Sequence, residues 1–242
     1  MIGYKLDRET GGLMKLGIMQ PYFLPYIGYW QLIHAVDTFV IYDDVNYIKG
    51  GWINRNFVLG HQRIYIPINH VSQNKLINEL KRVDDCHHYE KLIKTLERLY
   101  KKAPYYEQVM PVLISILLFD ELNLSKYLMH LIQTICDYLG IDTKLIESSS
   151  LSKNNDLRGQ EKILEICSIF NADGYYNVIG GQKLYKKSTF SEHGIDLRFI
   201  KSDEIAYRQF HDFEPSLSII DIMMFNTPAE IKKYLNQYKL IF

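Results

Sequence analysis

Between Leu16 and Asn56 the chain reads LGIMQPYFLPYIGYWQLIHAVDTFVIYDDVNYIKGGWINRN, which gathers a glutamine, several tyrosines, paired carboxylates, a lysine, a tryptophan and an arginine around short loops. Gln20 closes an apolar run, and a polar residue at a strand end needs a partner. Asp43-Asp44 ends a second apolar run, Thr38 to Tyr42. Neighbouring side chains on an extended backbone point to opposite faces, so only one of the two aspartates is expected to enter a cleft. That carboxylate can bind sugar hydroxyls or accept a proton from an incoming amine. The plainer reading is a turn aspartate bonded to its own backbone. Tyr47, Lys49, Trp52, Asn54, Arg55 and Asn56 follow at once. Lys and Arg suit phosphate, Trp offers a stacking face, and Asn reads amide or hydroxyl patterns. Tyr22 and Tyr26 lie in a proline-stiffened loop, QPYFLPY, and the helix start beyond it offers free N–H groups to an anion. The alternative for that loop is a rigid turn with Tyr22 and Phe23 packed inward.

A second cluster runs from Tyr175 to Tyr185. A strand feeds Gly180-Gly181 and then Lys183, which allows close backbone approach to a phosphate or carboxylate. Arg158, at the start of the preceding helix, is a candidate partner. Two other groupings carry less. Asp84-Asp85-Cys86-His87-His88 is rich in metal-binding types, but consecutive residues converge poorly on one ion, so a surface loop and helix start are expected and no metal site is assigned. Ser148-Ser149-Ser150 lacks the flanking glycines of a nucleophile elbow.

Positioning these groups requires a strand, loop, helix and strand in order, with the polar residues at the carboxyl ends of two adjacent strands, where open α/β sheets bind ligands. Two short strands around Gly60-His61 follow. Helices are expected over His88–Lys102, over Tyr105–Phe119 with a kink or new first turn at Pro111, and over Leu124–Leu139 with Gly140 as C-terminal cap. The strand–helix rhythm then resumes: strands at Thr143–Ile146, Gly174–Ile179 and Ile195–Ile200, and a helix at Leu157–Phe170. A terminal helical pair has Pro228 in a first turn. The expected fold is α/β, a mainly parallel Rossmann-like sheet covered on both faces, with a helical lobe at about 87–140. Residues 1–13 are read as an N-terminal extension and 14–242 as one domain.

Composition narrows the classes. Lys+Arg and Asp+Glu are equal at 28 each in 242 residues, which argues against a broad nucleic-acid footprint. No run approaches the roughly 20 apolar residues of a membrane span. No signal peptide is visible, and the odd, scattered cysteines (Cys86, Cys136, Cys167) fit a reduced, cytoplasmic protein.

The segment PYIGYWQLI (Pro25 to Ile33), with Asp37 ahead of the next strand, resembles the H-x-G-H signature of nucleotidyltransferases and pantothenate-synthetase-like ligases. Tyr29 holds the place of the second histidine, and Tyr26 or Pro25 that of the first. A phenol donates a hydrogen bond but carries no positive charge at neutral pH. The resemblance therefore implies a Rossmann-like nucleotide fold more than adenylyl transfer.

Over Lys15 to Leu235 the chain resembles the WbqC-like family of bacterial surface-polysaccharide loci. MQPYFLPYIGYWQLI, DTFVIYDDVNYIKGGWINRN, YKKAPYY, NADGYYNVIGGQKLY and SIIDIMMFN carry the resemblance. The family's tyrosine four residues after Asp43 is kept as Tyr47, whereas Asn46 stands where Gln is expected. Membership implies O-antigen or lipopolysaccharide biosynthesis, alongside enzymes that make nucleotide-linked amino sugars. The reading is an acyltransferase that places an acyl or aminoacyl group on the amine of such a sugar. Asp43, Asp44, Tyr29 and Gln20 are its candidate catalytic residues. Trp52 and the tyrosines would hold the nucleotide or sugar, and Lys49 and Arg55 the pyrophosphate. A donor arriving as a thioester on an acyl carrier protein would need no catalytic metal or further cofactor. The alternatives are a nucleotidyl or adenylyl transferase and a non-catalytic sugar-nucleotide-binding module.

Overall fold

The computed structural model describes residues 12–242, so all but the last two residues of the expected N-terminal extension lie outside the described part. The apolar run after Met14 forms β1 (Lys15–Met19), the QPYFLPY loop leads into α1 (Ile27–His34), and β2 (Thr38–Ile41) returns beside β1. An antiparallel hairpin follows, β3 (Arg55–Val58) and β4 (Gln62–Tyr65), turned at Gly60 with φ of 72°. A further two-residue pair, β5 (Ile68–Asn69) and β6 (Lys81–Arg82), brackets the polar loop after it.

Three helices come next: α2 (Cys86–Tyr100), α3 (Tyr106–Leu117) and α4 (Leu124–Leu139). Asp85 caps α2 by accepting the His88 N–H at 3.0 Å, so the acidic, histidine-bearing stretch is a helix start. Helix α3 runs through Pro111 as one element, so Pro111 does not open a new helix there. Gly140 ends α4 in the left-handed conformation, with φ of 64°.

The alternating half contributes β7 (Lys144–Glu147), α5 (Gly159–Ile169), β8 (Gly174–Val178), α6 (Lys187–Glu192) and β9 (Asp196–Ser202). Helices α7 (Ile219–Phe225) and α8 (Pro228–Leu235) precede β10 (Tyr238–Ile241), an edge strand that the sequence reading lacks. The central sheet has six strands in the order β10-β9-β8-β1-β2-β7. All pairings are parallel except β10 with β9.

Side-chain alternation along the strands feeds two cores. Phe39 and Ile41 join α1, α2–α4, α7 and α8 on one face, while Leu16, Ile18 and Val40 join α5 and α6 on the other. The three helices of the lobe thus share one apolar cluster with α1, α7 and α8. Buried Gln31 of α1 donates to the Tyr234 and Gln237 carbonyls at 2.8 and 3.0 Å and accepts from Ser202, tying α8 and β9 to the helix. Because β1, β2, β7 and β8 run in one direction, their carboxyl ends, with Gln20, Asp43-Asp44, Ser148 and Gly180 just beyond, share one edge of the sheet.

Candidate active site

A cavity of about 650 Å³ opens at that edge. Its walls come from the segment after β2 (Tyr42, Asp44, Val45, Asn46), from Leu76 and Asn78, and from Ser149 after β7. The first turn and a half of α5, with Asn155 before it, and Leu184 and Tyr185 beyond β8 complete it. One wall is built by backbone pairing: Tyr47 N–H bonds Lys75 O at 2.9 Å and Ile77 N–H bonds Val45 O at 3.0 Å, with a bridge between Asn46 and Leu76. The helical lobe braces the same wall, because Asn123 at the start of α4 donates to Asn78 O at 2.7 Å.

The paired aspartates divide their work as extended neighbours should. Asp43 is buried and turns inward, where its carboxylate accepts from Ser149 N–H at 2.9 Å, Ser149 Oγ at 2.6 Å and Ser125 Oγ at 3.1 Å. It fixes the loop after β7 to β2 and α4. Asp44 faces the cavity, and two ammonium groups close on one of its oxygens: Lys153 Nζ at 2.8 Å and Lys162 Nζ at 3.0 Å. Lys162 also donates to the Asp44 carbonyl at 3.1 Å, and Lys153 to the Ser148 carbonyl. The Lys153, Lys162 and Asp44 side chains are only 0%, 4% and 8% exposed. Burial alone would raise the Asp44 carboxyl, but hydrogen bonds from Lys153, Ser148 and Lys162 outweigh it and hold the group below its ordinary value. A carboxylate so held is a weak base.

Arg158 precedes α5 at the cavity rim, and its guanidinium donates to the Asn155 and Leu157 carbonyls. Tyr42 and Tyr185 give the cavity an aromatic side, with the Lys162 ammonium 5.3 Å from the Tyr42 ring centre. Burial, followed by the Asp44 charge, pushes the Tyr42 hydroxyl above its ordinary pKa, so it stays a neutral donor.

Of the residues singled out by sequence, Asp44, Arg158 and Tyr185 line this cavity. Gln20 and Gly180 stand on the same edge outside its walls. Tyr29 takes a different place from the expected one: it is 1% exposed, packed edge-on against Tyr22, Trp30 and Phe39 in the core. Its hydroxyl has no hydrogen-bond partner, and burial raises its pKa well above the ordinary value. In the QPYFLPY loop Phe23 and Leu24 pack inward, and the Tyr22 hydroxyl accepts the Tyr26 N–H at 3.2 Å, leaving Tyr26 partly exposed.

The Lys49–Asn56 cluster is largely occupied by its own backbone. Tyr47 Oη donates to Asn54 Oδ1 at 2.9 Å, and Asn54 donates to Ile66 O at 2.8 Å. Buried Asn56 donates to Leu24 O at 2.6 Å and so fastens the QPYFLPY loop. Arg55 donates to Gly50 O and stacks 5.9 Å from the Trp52 ring, while Trp52 is 56% exposed and Lys49 is exposed beside it. Gly180 and Gly181 fall in a 3₁₀ segment (Ile179–Leu184), not an open glycine loop. Gly181 packs so closely on Asn177 that an added Cβ would lie 3.2 Å from its side-chain nitrogen, and Lys183 is exposed.

Residues 20–233 match the WbqC-like protein family. The chain belongs to that family. This WbqC-like protein is 30% identical over 232 residues to the uncharacterized protein Rv1507c of Mycobacterium tuberculosis (strain ATCC 25618 / H37Rv), which covers 92% of this chain and 98% of that one. No solved structure matches it. Lys162, like Tyr42, lines the cavity and was missed by sequence reasoning. Lys162 sits in register with the buried stripe Ile163, Ile166 and Cys167 of α5, and a lysine on an apolar helix face is the available signal. No helix among the described residues is long and apolar enough to cross a membrane.

Proposed function

We propose that this chain is a cytoplasmic enzyme of surface-glycan assembly that transfers an acyl or aminoacyl group to the amine of a nucleotide-linked amino sugar. The observation that carries the reading is the cavity at the carboxyl edge, whose lining combines Lys162 and Arg158 with Tyr42 and Tyr185. Such a pairing suits a substrate that joins phosphates to a ring system. Counted within the sheet, the strand order is 3-2-1-4-5-6, the order of doubly wound dinucleotide-binding sheets. That supports a Rossmann-like reading, and walls drawn from beyond β2, β7 and β8 span the point where the order reverses.

In the proposed reaction the sugar amine attacks the thioester carbonyl of a donor on an acyl carrier. A C–N bond forms, the C–S bond breaks, and the departing thiolate takes up the proton the amine loses. Little is asked of the protein beyond holding the two reactants in line, which is itself a large rate factor. Asn46, Asn78 and Asn155 are the uncharged amide residues in the cavity lining that suit the sugar hydroxyls. The burial of Tyr29 weighs against the nucleotidyltransferase alternative, since the position of that family's second histidine faces the core here.

The test is incubation of the protein with nucleotide-linked amino sugars and an acyl- or aminoacyl-carrier thioester. An amide, read as a mass increase on the sugar, is the expected result. Robust ATP–pyrophosphate exchange would overturn the reading for the nucleotidyltransferase. Sugar-nucleotide binding without turnover would make the chain a binding module.

A further inference from the structure

We propose that Lys162 and Arg158, backed by buried Lys153, form a diphosphate-binding subsite, the anchor for the leaving-group end of the substrate in the cavity. The inference rests on the reading that this cavity takes substrate, and it moves the phosphate contacts from Lys49 and Arg55 to the lysines around Asp44, beside Arg158.

Two ammonium groups, nearly withdrawn from solvent, share a single carboxylate. Lys162 also lines the open cavity, while Lys153 stands behind it, fully buried and outside the walls. Arg158 adds a second positive charge at the rim, bonded to carbonyls alone. Gly159, also in the wall, opens α5 with φ of 54°, so the free N–H groups of an eleven-residue helix end on the same space. Asp44 holds both lysines at one point, with Lys162 toward the cavity. Tyr42, beside Lys162, with Leu184 and Tyr185 gives the same cavity a surface for whatever the diphosphate carries.

The same diphosphate chemistry comes from a nucleoside diphosphate or from an isoprenoid diphosphate. The probes are therefore inorganic pyrophosphate, UDP and farnesyl diphosphate, titrated calorimetrically into wild-type protein, Lys162→Met, Lys153→Met and Arg158→Gln. Removing one lysine leaves a one-to-one buried pair with Asp44, so the lysine variants should fold. Pyrophosphate should bind wild type and bind each lysine variant at least tenfold more weakly, with a smaller loss for Arg158→Gln. Tighter binding of UDP or of farnesyl diphosphate than of pyrophosphate would identify the group carried. No pyrophosphate binding by wild type, or wild-type affinity in a folded Lys162→Met, would overturn the proposal. Should neither lysine variant fold, wild-type affinity in exposed Arg158→Gln would do the same. Bound pyrophosphate with no amide formed in the transfer assay would leave the subsite standing and remove the acyl-transfer reading. Amide formation untouched by Lys162→Met would do the reverse.

Discussion

Asp43 and Asp44 are neighbours in the chain and opposites in the structure: Asp43 is bonded to Ser125 and Ser149 in the interior, and Asp44 lies between Lys153 and Lys162 at a cavity. The division follows from extended backbone, which sends adjacent side chains to opposite faces. Their substitutions should therefore behave differently.

Asp43→Ala leaves Ser149 and Ser125 donors without an acceptor in a buried place, and should cost about 3 kcal/mol of unfolding free energy. Urea unfolding measures it. A loss below about 1 kcal/mol would mean that the loop after β7 is held by other contacts.

The two shifted aspartates predict opposite pH slopes. Asp44 has a depressed folded pKa. Its contribution is present above the unfolded carboxylate value of about 3.9 and is lost as pH falls through the lower folded value. Asp221 accepts from Tyr100, Tyr207 and Gln209, yet burial raises its pKa. Its contribution is present below the unfolded value and is lost as pH rises through the folded one. Urea unfolding between about pH 2 and pH 8 should show that Asp221→Asn flattens the decline as pH rises. The acid loss below pH 4 should soften in Asp44→Asn. Parallel profiles for wild type and both variants would refute the assignment.

Tyr29→Phe removes a buried hydroxyl that has no partner. Stability should stay level or rise by up to about 1 kcal/mol, with transfer activity unchanged. A large loss of activity at full stability would return Tyr29 to the catalytic residues.

Arg55→Ala frees the Gly50 carbonyl and the Trp52 ring, so about 1 kcal/mol of stability should be lost. Pyrophosphate affinity should change less than threefold. A tenfold drop would place the phosphate contacts on this turn instead of on α5.

How much of this was legible follows from what each residue type can reveal. The parallel sheet, the hairpin at Gly60, the C-terminal cap at Gly140 and the shared edge of Gln20, Asp43-Asp44 and Gly180 all rest on periodicity and turn chemistry, which sequence carries directly. Asn54, Asn56 and Tyr47 are of types that bind sugars and of types that bond loops, and only the fold shows their groups spent on Asn54, Ile66 and Leu24. Lys162 carried only the weak signal of a lysine on an apolar helix face, because its partner Asp44 is 118 residues away and nothing local links them. Strand β10 was missed because YKLI is short, and its strand character comes from pairing with β9.

The central claim is that the carboxyl-edge cavity performs amide formation on a phosphate-linked amino sugar. The most direct measurement is mass spectrometry of that sugar after incubation with an acyl-carrier thioester, with wild type and Lys162→Met side by side. The account predicts an acylated sugar from wild type and at least a tenfold slower rate from the variant. No acylated sugar from wild type across the panel would contradict it, and equal rates from both proteins would remove the Lys162 subsite from the account.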